Sequence, residues 1–184
     1  AETPARTVAA RRGIPILELT ALADGAGRFA LSGEGPGSGG GRPGPAADDD
    51  VALVLHTSGT TARPKMVPLT QANLAASARH IDAALALTPA DRCLNIMPLF
   101  HIHGLIGCVT ASLAAGGSVF CTPGFNALKF FGWLAEAAAS WYSAVPTMHQ
   151  AILGRAERNR EAIAGHRLRF IRFLPESQLL EEGY

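Results

Sequence analysis

The segment best equipped for chemistry is residues 57–65, which reads Thr-Ser-Gly-Thr-Thr-Ala-Arg-Pro-Lys. Its hydroxyls can donate hydrogen bonds to phosphate oxygens, its glycine lets the backbone approach a ligand closely, and its lysine adds a mobile positive charge. We therefore interpret it as a phosphate-binding loop, although a shorter Ser-Gly-Thr run would leave an ordinary polar surface turn equally open. The candidate binding residues are Thr57, Ser58, Gly59, Thr60, Thr61 and Lys65.

The neighbours of the lysine differ from those of a Walker A loop. In that loop a Gly-Lys pair is followed by Ser or Thr as a helix begins. Here Pro64 precedes Lys65, and Met66 follows it. A P-loop phosphotransferase is therefore disfavoured.

Strands and helices that alternate along the chain must position this loop. Residues 51–55 predict a buried strand before it, and residues 71–86 predict a helix that Thr70 caps. Because helices that join parallel strands cover both faces of their sheet, we predict an α/β fold with a mainly parallel sheet. Further strands are predicted at 93–97, 118–121, 141–145 and 168–173, and further helices at 104–115, 127–138 and 148–164, the last with a break at Gly154.

Composition divides the chain into four predicted parts. Residues 1–32 form a partial N-terminal segment with a short strand at 16–19. Residues 33–50 form a Gly/Pro-rich run, which is typical of a flexible connector. Residues 51–172 carry the α/β pattern, and residues 173–184 form a divergent tail.

Composition also excludes several classes of function. Hydrophobic residues make up 48% of the chain and charged residues 17%, which is typical of a folded protein. A formal net charge of +1 provides no basic excess for nucleic acid. Three widely spaced cysteines favour neither zinc nor a disulfide framework, and we expect reduced, mostly buried thiols. Without a leader pattern or a membrane-length apolar stretch, we expect a cytoplasmic protein.

The loop and three later landmarks resemble the adenylate-forming superfamily of acyl-CoA synthetases, luciferases and peptide-synthetase adenylation domains. The superfamily signature is a Ser/Thr/Gly-rich loop that ends in Pro-Lys. The resemblance covers residues 50–172, and within it residues 56–61, 98–105 and 141–150 look most like oxalate:CoA ligases, while other short acids, including malonate-like and fatty acids, stay open as substrates. The later landmarks are Pro98-Leu99-Phe100-His101 followed by Gly104, Ala144-Val145-Pro146-Thr147, and Leu168-Arg169-Phe170-Ile171.

The resemblance implies an ATP-dependent acid:CoA ligase that uses ATP, Mg²⁺ and coenzyme A. The loop would then hold the β- and γ-phosphates of ATP, and His101 would orient the carboxylate and the adenylate. The resemblance also implies acyl-pocket contacts from His103, Pro146, Thr147 and His149. A His-x-His metal site is an alternative that we do not adopt, because no third ligand stands at a telling spacing.

The sequence departs from the superfamily pattern at two kinds of position. Ala62 and Met66 stand where glycine is common, and a side chain at 66 restricts the backbone at the loop's end. The aromatic-Gly-x-Thr-Glu motif does not follow Arg172. We therefore expect an inactive fragment of an N-terminal domain, whose open sheet edge favours an oligomer or a partner. A noncatalytic nucleotide-binding or regulatory remnant is the alternative.

Overall fold

The computed structural model describes residues 3–25, 28–33, 35, 44–57 and 65–173. The chain divides into two units, Ala1–Pro45 and Ala46–Tyr184. None of the helices in the described ranges combines the length and the apolar character that a bilayer span requires.

The first unit consists of one helix and one hairpin. Helix α1 (Pro4–Arg12) begins at a proline and ends at Gly13, whose φ of 64° suits glycine. Strand β1 (Glu18–Ala21) pairs antiparallel with β2 (Phe29–Ser32). The strand predicted at 16–19 thus lies slightly further along the chain. The sequence analysis missed α1 because this helix buries none of its residues and carries no apolar stripe.

The second unit opens with an antiparallel hairpin of β3 (Val51–Thr57) and β4 (Lys65–Thr70). The strand predicted at 51–55 is present, but the prediction that it is buried is wrong, since Val51 is 58% exposed. Within the described part of the chain β3 pairs with β4 alone, so it lacks the double cover of a parallel-sheet strand. The analysis missed β4 because it contains Pro68, which an edge strand tolerates.

Helix α2 (Gln71–Leu85) follows β4 directly, and Thr70 caps it as predicted. The Asn73 N–H donates to Thr70 Oγ1 at 3.2 Å, and the Thr70 N–H donates to Asn73 Oδ1 at 3.0 Å. This reciprocal capping satisfies two backbone donors and sets the residue at which the helix begins.

Four parallel strands form the centre of the second unit, which confirms the predicted α/β fold. They are β5 (Arg92–Asn95), β6 (Ser118–Cys121), β7 (Trp141–Ala144) and β8 (Phe170–Phe173). Their spatial order is β6-β5-β7-β8. The chain therefore steps from β5 to one side and then crosses to the other side for β7 and β8.

Helical segments make each of these crossings. A π-helix (His103–Thr110) and α3 (Ala111–Ala114) lead to β6, and α4 (Phe130–Ala137) leads to β7. α5 (Pro146–Leu153), a 3₁₀ turn and α6 (Arg160–Ala164) lead to β8, with the predicted break at Gly154. The α-helix predicted at 104–115 is mostly a π-helix instead. Its wider turn is stabilised by the Thr110 hydroxyl, which donates to the Leu105 carbonyl at 2.9 Å.

Alternate residues of the central strands build two apolar layers, one on each face of the sheet. Leu94 and Tyr142 pack with α4 and α5 on one face. Cys93 and Trp141 pack with Cys108 of the π-helix on the other face. This confirms the prediction of helices on both faces. Of the three cysteines, Cys93 and Cys108 are buried and Cys121 is exposed, which agrees with the expectation of mostly buried thiols.

A buried carboxylate fastens the amino-terminal edge of the sheet. Asp91 accepts hydrogen bonds from the Thr88 N–H at 2.8 Å, from the Ser140 hydroxyl at 2.7 Å and from Arg169 Nη2 at 2.9 Å. Burial by itself would raise the pKa of Asp91, but the hydrogen bonds from Ser140, Arg169 and Thr88 outweigh it and lower the pKa. Asp91 therefore joins the starts of β5, β7 and β8 as an ionised group.

We predict that Asp91→Ala lowers the free energy of unfolding by about 2–3 kcal/mol, because it removes these bonds and leaves Arg169 without its partner. Chemical denaturation at neutral pH measures the loss. The matched control is Glu157→Ala, since the exposed Glu157–Arg160 pair joins the 3₁₀ turn only to the start of α6, and its effect should stay within about 0.5 kcal/mol. Equal stability of the two variants would contradict the role given to Asp91.

Candidate functional site

The topology brings two loops together at the carboxyl-terminal edge of the sheet. The loop after β5 enters the π-helix on one face, and the loop after β7 enters α5 on the other face. Where neighbouring connections leave a parallel sheet on opposite faces, a crevice opens at the strand ends. The histidines predicted as site residues stand on these two loops and on the helices that they begin.

His103 is the first residue of the π-helix and is 3% exposed. Its Nε2 is 2.6 Å from Ser143 Oγ, and its backbone N–H donates to His101 Nδ1 at 3.3 Å. The Nδ1 atom of His103 is buried and has no hydrogen-bond partner among the described residues. A buried polar nitrogen without a partner is costly.

The environment of His103 disfavours its protonated form. Burial, with smaller contributions from the charges of Arg172, His101 and His149, lowers its pKa from 6.5 to about 4. The imidazole is therefore neutral near pH 7. It can act there as one hydrogen-bond donor and one acceptor, and it contributes no positive charge of its own.

Arg172 of β8 brings a cation to the same place. Its Nη1 donates to the Gly107 carbonyl at 3.3 Å. The ion pairs of the described residues give this guanidinium no carboxylate partner. A Cβ atom built at Gly107 would lie 3.0 Å from Arg172 Nη1 and 3.5 Å from His103 Cδ2. Arg172 and His103 therefore flank the same point of the π-helix.

His149 of α5 approaches from the other connection. Its Nδ1 lies 3.3 Å from the Tyr142 hydroxyl, and its ring stacks on Phe173 at a centroid distance of 5.3 Å. Burial raises the pKa of Tyr142 to about 12, so the phenol keeps its proton and can donate to His149. His149 Nε2 is a second buried nitrogen that lacks a partner within the described ranges.

The structure thus gathers some of the sequence-predicted residues and leaves others apart. His101, His103 and His149 come together, while Pro146 is the first residue of α5 and Thr147 is exposed beside it. Lys65 is exposed at the start of β4, where it pairs in register with Thr57. Ser58, Gly59, Thr60 and Thr61 lie outside the described residues, so the composition of the phosphate loop stays a prediction.

Ser143 and Arg172 are the members of this cluster to which the sequence analysis gave no role. Both occupy strand positions on the face that carries Trp141 and Phe170. A polar residue at such an inward position was the signal available in the sequence. It shows only after the strands and their faces have been assigned.

The described residues contain no group of three or more His, Cys, Asp or Glu side chains able to hold a metal ion. Of the neighbouring pair His101 and His103, the Nε2 atom of His103 is engaged by Ser143. These residues do not fit a resident metal, and we derive no chemical step through one.

Comparison with known proteins places this geometry in a family. The sequence pattern of the family described as "AMP-binding enzyme" matches residues 7–176, nearly the whole chain. The chain therefore belongs to the AMP-binding enzyme family. This membership confirms the resemblance to adenylate-forming enzymes.

Oxalate–CoA ligases are among the curated relatives. The enzyme of Arabidopsis thaliana is 48% identical over 126 residues, a match that covers 67% of this chain and 24% of the relative. The enzyme of Saccharomyces cerevisiae is 43% identical over 117 residues, which cover 64% of this chain and 22% of the relative. This chain thus spans about a quarter of the length of these relatives.

Solved structures agree with this placement. ATP-bound MatB of Rhodopseudomonas palustris is 31% identical with a TM-score of 0.60, covering 71% of this chain and 25% of that protein. A malonyl-CoA ligase with methylmalonyl-CoA and AMP bound is 33% identical with a TM-score of 0.59, covering 70% of this chain and 28% of that protein. The fold is therefore that of part of an adenylate-forming CoA ligase.

We predict that His103 titrates at about pH 4 and makes the fold sensitive to acid. The unfolded chain binds this proton first, so the free energy of unfolding is highest above the ordinary pKa of 6.5 and falls as the pH drops from 6.5 towards 4. Imidazole NMR shifts measure the pKa, and denaturation across this range measures the stability. In His103→Asn this part of the pH dependence should vanish; its persistence in that variant would assign it to another group.

Proposed function

We propose that this chain is part of an ATP-dependent acid:CoA ligase, with oxalate as the preferred acid. The observation that carries the proposal is the sequence identity to two oxalate–CoA ligases from a plant and a yeast. The imidazole and guanidinium cluster at the carboxyl edge of the sheet supports it, because these groups suit a small, highly charged carboxylate. The choice of acid is the finer part of the proposal, since a sulfoacetate–CoA ligase of Cupriavidus necator is also 42% identical.

The proposed reaction has two steps. A carboxylate oxygen attacks the α-phosphorus of ATP, forming the acyl-adenylate and releasing pyrophosphate. The thiolate of coenzyme A then attacks the acyl carbon, forming the thioester and releasing AMP. Neither step needs a nucleophile from the protein, so binding geometry and charge stabilisation supply most of the catalysis.

The residues of this chain receive different roles in the proposal. Residues 57–65 hold the β- and γ-phosphates, with Lys65 as the cation at the loop's end. His101 orients the attacking carboxylate, because its ring stands directly before the π-helix and its Nδ1 is tied to the His103 backbone. His103 stays neutral and contributes hydrogen bonds rather than charge. Pro146, Thr147 and His149 remain proposed acyl-pocket residues at the start of α5.

Magnesium belongs to the proposal as a companion of ATP. Mg²⁺ is commonly held by substrate phosphates with few protein ligands, which is compatible with the missing metal cluster in the described residues. When bound, it would neutralise phosphate charge. A cytoplasmic location and a partner or second copy at the sheet edge are further parts of the proposal, expected from the sequence alone.

Transplantation tests the assignment. We predict that Arabidopsis oxalate–CoA ligase, with its matching segment replaced by residues 46–173 of this chain, releases AMP in the presence of oxalate and CoA. His101→Ala in this chimera should lower kcat/KM about 10²-fold through loss of carboxylate orientation. His80→Ala, an exposed residue of α2, is the control and should leave kcat/KM unchanged.

The outcomes of this experiment separate the parts of the proposal. Turnover of sulfoacetate or malonate in preference to oxalate would overturn the choice of acid and keep the ligase class. A folded chimera that binds ATP but consumes none with any acid would overturn the ligase assignment. It would favour a noncatalytic nucleotide-binding role, in which Lys65→Ala abolishes ATP binding.

We also predict that the chain by itself does not catalyse oxalate-dependent exchange of pyrophosphate into ATP. The physical reason is that it spans only about a quarter of its relatives, so most groups that surround a nucleotide in such an enzyme are missing from it. Radiolabelled pyrophosphate exchange measures the activity, with the Arabidopsis enzyme as the positive control. Exchange at an ordinary enzyme rate, on the order of 1 per second or more, would refute the prediction.

A further inference from the structure

The charges around Arg172 and His103 are unbalanced. Among the described residues, the charged groups that lower the pKa of His103 are Arg172, His101 and His149, and none of these is an acid. Asp91, the buried acid in the part of this unit that the structure describes, is engaged with Arg169 at the opposite edge of the sheet. A half-buried guanidinium without a carboxylate among the described residues is costly unless an anionic ligand balances it.

The donors here suit a carboxylate. Arg172 has a planar set of N–H donors that matches the two oxygens of a carboxylate, and its one protein acceptor in the described structure is the Gly107 carbonyl. His103 is 97% buried and holds an Nδ1 atom without a partner in the described ranges. A ligand that lies against both groups would satisfy the nitrogen and neutralise the cation.

Gly107 keeps these two groups together. A methyl group at this position would lie 3.0 Å from Arg172 Nη1, tighter than nearly all real contacts, and 3.5 Å from His103 Cδ2. A side chain there would therefore displace the guanidinium by a few tenths of an ångström from its position beside the imidazole. The π-helix turns Gly107 towards the sheet, so its carbonyl can hold Arg172 in place.

We propose that Gly107 is a specificity-determining residue, which positions Arg172 beside His103 to form a subsite for the second, non-reacting carboxylate of a short dicarboxylic acid. This inference rests on the proposed function, because the subsite belongs to the same acyl pocket. In oxalate the two carboxylates are directly bonded, so His101 can orient the reacting carboxylate while Arg172 and His103 hold the other. A monocarboxylate of similar size, such as acetate, leaves the subsite empty.

Binding to the chain itself tests the subsite. Isotope-labelled chain is titrated with oxalate and, separately, with acetate, while NMR follows Arg172 Nε–Hε and the His103 ring. We expect oxalate to bind at least tenfold more tightly than acetate and to shift both signals. Gly107→Ala should weaken oxalate binding at least tenfold and leave acetate binding unchanged, so the oxalate-to-acetate ratio collapses.

Matched variants separate specificity from folding. Gly132→Ala adds a methyl on α4 where nothing lies within 4 Å, and Arg167→Gln removes an exposed cation far from the π-helix. In both variants the ratio of oxalate affinity to acetate affinity should stay within about twofold of its value in the unsubstituted chain. Arg172→Lys keeps the charge without the planar donor set. It should therefore abolish the preference in affinity for oxalate over acetate, as Gly107→Ala does. It provides the second reading if Gly107→Ala fails to fold.

Several outcomes would overturn the proposal. These are equal affinity for oxalate and acetate, no shift of Arg172 on oxalate addition, or an unchanged ratio in a folded Gly107→Ala or Arg172→Lys chain. Failure of the proposed function looks different. A chain that selects oxalate through Arg172, within a chimera that never forms an adenylate, would keep the subsite and reject the ligase.

Discussion

The parallel pairing of β5 with β7 is the contact on which the second unit depends. Cys93 stands opposite Trp141 and Leu94 opposite Tyr142. Paired residues of the two strands therefore point to the same face of the sheet, and successive pairs point to opposite faces. Each face then presents a continuous apolar layer that one set of helices can cover. Because the covering connections leave in opposite directions, the strand ends between them are open, and the polar groups of the site gather there.

The two arginines in and next to β8 have different partners at the two edges of the sheet. Arg169, at the amino edge, donates to Asp91 and to the carbonyls of Leu85 and Ala86, so its charge ties α2 to the sheet. Arg172, at the carboxyl edge, meets a carbonyl and neutral imidazole instead. The first arginine is compensated within the fold and contributes to stability. The second has no carboxylate partner among the described residues.

The π-helix links packing to the site. Gly104 lies so close to the loop after β5 that a Cβ atom there would be 2.5 Å from the Pro98 carbonyl oxygen. Three residues later, a Cβ atom at Gly107 would be 3.0 Å from Arg172 Nη1. Cys108 meanwhile packs on Cys93 and Trp141 in the core. The same segment therefore presses the loop against the sheet, fills one apolar layer and leaves room for a guanidinium.

Much of the architecture followed from local pattern. Alternating apolar strands, the Thr70 cap and the break at Gly154 depend on neighbours along the chain, so residue types alone predicted them. The landmarks that contain His101 and the Pro-Lys loop identified the superfamily for the same reason. The exposed hairpin of β3 and β4 was beyond this reasoning, because the exposure of Val51 depends on which strands pair.

The residues of the site were likewise predicted only in part from the sequence. The sequence by itself determined that histidines stand on the loop after β5 and at the start of α5. Only the tertiary structure decided that Ser143 and Arg172 join them, that His103 is buried and neutral, and that Gly107 faces the guanidinium. The physical reason is distance along the chain: burial, hydrogen bonding and charge are set by groups up to 69 positions away, as His103 and Arg172 are, and no local pattern records which of them meet.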